Sequence, residues 1–143
     1  MDIACSPVVS ADFDRALALL HNFWCLRALE RFDQALQNDP GCAKAYWGAV
    51  MTYSHPLWDP QSQADETAAW TLVQKGLSAP EASGRERLYL AAYKDAGAGS
   101  KSSRDQNYRD ANGGCRRQYP DDGTTLFYGL SILGCGSRRL SRV

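Results

Sequence analysis

The chain has 143 residues, of which 44% are hydrophobic and 22% charged. That is the balance of one ordinary globular domain, large enough to bury a core and too apolar to stay disordered. Sixteen basic residues offset sixteen acidic ones, so no overall field draws nucleic acid or an anionic membrane surface, and no apolar run reaches the roughly 18 residues of a membrane span.

Residues 1–11 read as an extended lead-in, because Pro7 disfavours helical geometry at Ser6. They carry no basic stretch followed by an apolar one, so no secretory leader is read and the cytoplasm is the expected location. From residue 12 the apolar positions Phe13, Ala16, Leu17, Leu20 and Trp24 recur at helical spacing, with Ser10 or Asp12 as cap. The break near Trp24–Leu26 has no Gly or Pro to mark it. The second helix is clearer. Cys25, Ala28, Leu29, Phe32, Ala35 and Leu36 fall at successive steps of three and four, and Asn38-Asp39-Pro40-Gly41 ends it.

A third helix presents Ala43, Tyr46, Trp47, Val50 and Ser54, and His55-Pro56 stops it. A fourth opens at 60–63, with Ser62 and Asp65 as a capping pair and Ala69, Trp70, Val73 and Leu77 as its stripe. Ser83 and Glu86 form a second capping box, which starts a helix carrying Leu88, Tyr89, Ala92 and Tyr93. Residues 96–103, AGAGSKSS, read as a flexible Gly/Ser loop. A sixth segment, 104–119, has helical character at Tyr108, Ala111 and Cys115, although Gly113-Gly114 inside it costs about 2 kcal/mol relative to alanine. Pro120-Asp121-Asp122-Gly123 turns the chain into a last apolar helix with Leu126, Phe127, Leu130 and Leu133. Residues 135–143 read as a disordered tail made basic by Arg138, Arg139 and Arg142. No segment alternates with period two, so the expected fold is all-α, with six or seven helices in one domain over 12–134 and no sheet.

Five cysteines, Cys5, Cys25, Cys42, Cys115 and Cys135, are an odd number without a CxxC pair. Buried free thiols are therefore expected, in preference to a disulfide framework or a zinc knuckle.

Ala28-x3-Phe32, Ala35 and the closing Pro40 match the second half of the tetratricopeptide-repeat pattern, and Tyr46, Ala49, Val50 and Tyr53 fall where the next repeat places its aromatic and small residues. The chain thus resembles the tetratricopeptide-repeat superfamily, most clearly over 12–58. The longer strings FDRALALLHNFW, ALERF, DPGCAKAYWG and HPLWDP resemble a divergent bacterial and fungal group of such proteins. Members of that group run on beyond the turn at 119–122 and the helix after it. On that resemblance this chain is expected to be a shortened form, whose uncapped apolar face at 127–133 is left for a partner or for self-association.

The resemblance implies antiparallel helical hairpins stacked as a short right-handed solenoid, with the first helix of each hairpin lining a concave groove. Carried over residue by residue, Phe13, Leu17, Leu20 and His21 lie on that wall in one unit, and Lys44, Trp47, Met51, Ser54 and His55 in the next. The partner groove expected from this is Phe13, Leu17, His21, Lys44, Trp47, Met51 and His55. The implied function is non-enzymatic capture of a protein or peptide segment, with no nucleic acid, membrane or cofactor involved. Trp24, Trp58 and Trp70 are expected in the core, whereas Trp47 is expected to expose one ring face to the groove.

His21 and His55 stand about 34 residues apart, one repeat length, which places them side by side on the wall. Three uses of the pair are open: contact area in a peptide groove, hydrogen bonds that hold turns, or a metal or acid/base site on the same scaffold. For the last, two histidines are too few ligands, and Cys42, Cys25 or Asp59 would have to complete the set. That alternative makes the protein an enzyme or a small-molecule-binding protein. The chain contains no phosphate-binding loop, dinucleotide fingerprint, zincin motif or nucleophile elbow.

Overall fold

A computed structural model describes residues 5–54, 61–95 and 101–136. Among them are seven helices and no strand: α1 (Pro7–His21), α2 (Cys25–Asn38), α3 (Ala43–Tyr53), α4 (Gln63–Leu77), α5 (Gly84–Asp95), α6 (Lys101–Gln118) and α7 (Asp122–Gly136). Each helix packs on the next, and α3 also touches α1 and α5. Short connections such as the three residues between α1 and α2 make neighbours run antiparallel.

The first helix starts earlier than expected. Residues 7–11 are helical rather than extended, because Pro7 occupies the first helical position, where no amide hydrogen is needed. The Ser6 hydroxyl accepts from the Val8 amide at 3.4 Å. Val9, Phe13, Ala16 and Leu20 form its buried face, so the stripe extends one turn upstream of the sequence reading.

The unmarked break after α1 has a defined geometry. Trp24 N–H donates to Leu19 O and Phe23 N–H to Leu20 O, both at 3.0 Å, and Phe23 has φ of 61°. This is the Schellman closure, with phenylalanine at the left-handed position that glycine usually fills. Left-handed backbone costs a side-chain-bearing residue about 1–2 kcal/mol. Phe23→Gly is therefore expected to raise stability by about 0.5–1 kcal/mol after the extra chain entropy of glycine is subtracted, measured as a shift in denaturant midpoint. No change would mean that contacts of the Phe23 ring offset its backbone strain.

Helix α2 buries Ala28, Phe32 and Ala35, as its periodicity requires. Helix α3 is covered on nearly all sides, with nine of its residues buried from Ala43 to Thr52. Small side chains let its neighbours approach. A Cβ on Gly48 would lie 2.3 Å from the Phe32 ring, and one on Gly76 of α4 would lie 2.8 Å from both Tyr46 Cβ and Leu90 Cδ1. Gly113 inside α6 has a similar role, since its Cβ would meet the Tyr128 ring of α7 at 3.1 Å.

The two capping boxes are present. Ser62 and Asp65 exchange backbone and side-chain bonds at the start of α4. Ser83 N–H donates to Glu86 Oε2 at 2.9 Å and Glu86 N–H to Ser83 Oγ at 3.2 Å. A third reciprocal pair, Asp121 and Thr124, opens α7. Helix α6 begins at Lys101, inside the stretch expected as a Gly/Ser loop, and α7 continues to Gly136, into the expected tail; 96–100 and 137–143 lie outside the described residues.

Two cysteines expected as free thiols are joined. Cys5 and Cys42 form a disulfide across 37 residues, with Cα atoms 4.7 Å apart. The same junction is tied by Ser6 N–H, which donates to Asp39 Oδ2 at 2.8 Å. Spacing could not reveal this pair, because it forms only when the segment before α1 lies against the α2–α3 turn. Cys25 and Cys115 are free.

Candidate functional site

The residues expected to line a groove are largely interior. Phe13, Lys44, Trp47 and Met51 are buried, Leu17 is half-buried, His21 is exposed, and His55 lies outside the described residues. Trp47 is only 1% exposed, so the free ring face expected for it is not there. The cause is α7. Phe127 meets Trp47 edge-on at 4.7 Å between ring centroids and lies 5.9 Å from His21. Tyr89 of α5 covers Trp47 from another side at 5.1 Å. Phe127 belongs to the face expected to await a partner; here its ring is buried inside the fold, and Leu126 and Ile132 are large apolar side chains that α7 leaves exposed among the described residues.

His21 is pressed against Phe127, and desolvation of that face holds its imidazole below the ordinary value. Cys42, a weak metal-ligand candidate, is committed to the disulfide and offers no thiolate. Among the described residues no group of three His, Cys, Asp or Glu side chains is placed to hold a metal ion.

Lys44 is the least expected member of the interior, at 2% exposure. Its Nζ sits 4.0 Å from the Trp47 ring centroid and 3.5 Å from that of Tyr89. It has no hydrogen-bond partner among the described residues, and neither does the nearby Arg85 Nε. Arg85 is anchored instead through its other end, on Asp121. Two ring faces favour the ammonium by about 2 kcal/mol each, whereas removing it from water costs several and leaves its own hydrogen bonds unmade. Burial therefore wins, helped by the Arg85 charge, and pushes Lys44 from 10.5 down to about 7, against the opposing pull of Glu86 and Cys115.

The linkage has a definite sign. The unfolded chain keeps the Lys44 proton up to its ordinary pKa, so stability is lowest below pH 7 and rises towards pH 10.5. Above about pH 9 the raised Cys115 and Tyr89 values oppose the trend. Stability is expected to rise by about 2 kcal/mol from pH 7 to pH 9. Lys44→Met should add about 1–2 kcal/mol at pH 7 and flatten that rise. Denaturant midpoints at the two pH values check both, and a variant that keeps the slope would place its origin elsewhere.

The accessible feature lies elsewhere. A cavity of about 340 Å³ opens where α3, α4, α5 and α6 meet. Ser54 at the end of α3, and Gln61 and Gln63 around the start of α4, form one side. Glu66, Thr67 and Trp70 of α4 form a second, and Tyr93 with Arg104, Asp105 and Tyr108 close it. Arg104 donates to Glu66 Oε1 at 2.7 Å, each side chain about a quarter exposed. Gln61 donates to the Tyr93 hydroxyl at 2.6 Å, and the Tyr108 hydroxyl to Met51 Sδ at 3.2 Å. Burial raises both tyrosines above the ordinary phenol value. Trp70, expected in the core, stands 41% exposed at the rim. Trp24 is also outside the core, at 64%. Trp58 lies outside the described residues.

Of the cavity residues, the sequence reading places only Ser54 on the expected groove wall. Gln63, Glu66, Thr67 and Trp70 share one face of α4 at helical spacing, but their meeting with Tyr93 of α5 and with Arg104, Asp105 and Tyr108 of α6 depends on tertiary packing, which spacing does not carry.

No protein-family model, no curated protein and no solved structure matches the chain.

Proposed function

We propose that the chain is a tetratricopeptide-like interaction module, a short right-handed solenoid of helical hairpins that captures a segment of a protein partner without catalysis. The stepwise contact of each helix with the next, together with the contacts of α3 with α1 and α5, supports this arrangement. The capture site is the cavity beside Trp70 rather than the wall built on Trp47. The observation that carries this reading is an open cavity with a partly exposed tryptophan at its rim and polar groups within, the usual composition of a binding pocket.

A cytoplasmic location is part of the proposal. No described helix is long and apolar enough to cross a membrane. In a reducing cytosol Cys5 and Cys42 would be held as thiols, which thiol trapping in fresh lysate reads directly.

Selection from a random peptide display library, with the full chain as bait, tests the function. Enriched peptides should bind with micromolar affinity, and Trp70→Ala should weaken them about tenfold or more while leaving the melting curve in place. An empty selection, or binders indifferent to Trp70→Ala, would sink the proposal.

A further inference from the structure

The cavity beside Trp70 has a chemical preference of its own. Three aromatic rings wall it, Trp70, Tyr93 and Tyr108, and Tyr93 meets Tyr108 edge-on at 6.3 Å. Among the described lining residues, Glu66 and Asp105 are carboxylates and Arg104 is a cation. An anionic segment would meet both carboxylates. A purely apolar one would have to bury the Glu66–Arg104 pair, whose desolvation it could not repay.

A planar cation fits both features at once. Guanidinium is weakly hydrated, stacks on aromatic faces and forks onto carboxylates. The chain already supplies the demonstration, since Arg104 reaches from α6 to place its own guanidinium on Glu66 at 2.7 Å within this lining.

We propose that the occupant of the cavity is an arginine side chain of a basic partner segment, which lies along the Trp70 ring and takes the Glu66 carboxylate in exchange for Arg104. The inference rests on the interaction reading above and names the partner's chemistry. Arg104 is then an internal stand-in, a guanidinium that keeps Glu66 paired until a partner competes for it. The exchange conserves charge pairing at Glu66, so specificity comes from stacking on the Trp70 ring.

The test is an NMR titration of the full chain with a short Gly/Ser peptide that carries two arginines, against the same peptide with citrulline, the neutral isostere. The Trp70 indole N–H resonance, assigned by its loss in Trp70→Ala, reports the site. The arginine peptide should shift it saturably and the citrulline peptide should not. Glu66→Gln should weaken binding about tenfold, and Arg104→Gln should strengthen it several-fold, because the competitor is gone. That opposite sign separates an exchanged stand-in from a residue that merely holds the cavity's shape, and melting curves of both variants confirm that each is folded. Equal response to citrulline, indifference to Glu66→Gln, or weaker binding in Arg104→Gln would overturn the proposal. Library peptides that bind at Trp70 but carry no arginine would overturn it while leaving the interaction reading intact. No peptide at all would remove both.

Discussion

Trp47→Ala is expected to destabilise the protein by about 3–5 kcal/mol, the range for loss of a fully buried tryptophan. Three helices lose contacts in that single change. The Trp47 ring of α3 lies between Tyr89 of α5 and Phe127 of α7, and the Lys44 stem runs beside it. Its partners come from helices fixed by their own neighbours, so they cannot close the space, and the void keeps most of its cost. A domain of this size has about 5–15 kcal/mol in total, so the variant should melt far lower or remain partly unfolded at 37 °C. Thermal melting followed by far-ultraviolet circular dichroism reads this. A variant with an unchanged melt would return Trp47 to a surface role and restore the wall on which it lies as a docking face.

Opening the Cys5–Cys42 bridge is the second large effect. The bridge closes a 37-residue loop that spans α1 and α2. On loop entropy alone such a closure contributes about 4 kcal/mol. Urea unfolding with and without reductant should differ by about this amount, and Cys5→Ser should sit at the reduced value and ignore the reductant. Cys42 is fully buried, so the native protein should resist mild reductant until the segment before α1 lifts away. Equal midpoints for the oxidised protein and for protein shown by thiol titration to be reduced would mean that the bridge adds nothing. The Ser6–Asp39 hydrogen bond ties the same junction without using the bridge, so the expected response is a weakened first hairpin rather than a lost fold.

The helices were legible because their signals are local. The α2 stripe of Ala28, Phe32 and Ala35 and the boxes at Ser62 and Ser83 depend on residues within one or two turns of each other, and each appears in place. Ser6-Pro7 was read by the restriction that proline puts on the residue before it; the same dipeptide is also a cap followed by a first helical residue, and the buried Val9 decides between the two. Phe23 left no trace because its left-handed turn carries no glycine. Trp47 and Trp70 exchanged expectations for a different reason. Periodicity tells which residues share a face of one helix, but whether that face meets water depends on what arrives from elsewhere in the chain. Phe127 arrives over Trp47, and nothing of comparable size covers Trp70 among the described residues. The cavity was illegible on the same grounds, since Glu66 and Arg104 are ordinary surface residues until α4 and α6 come together.

Phe127 has one more consequence, for how the chain comes apart. A stack of hairpins in which each touches only its neighbours can fray from either end, losing one unit while the rest persist. Here a side chain from the last described helix touches His21 of the first and Trp47 between them, so the two ends are fastened through a common middle. Hydrogen exchange in α1 and α7 should therefore slow and quicken together, and shortening the chain before Phe127 should loosen amides near His21 that are remote from the cut in sequence. The molecule is expected to unravel as one body.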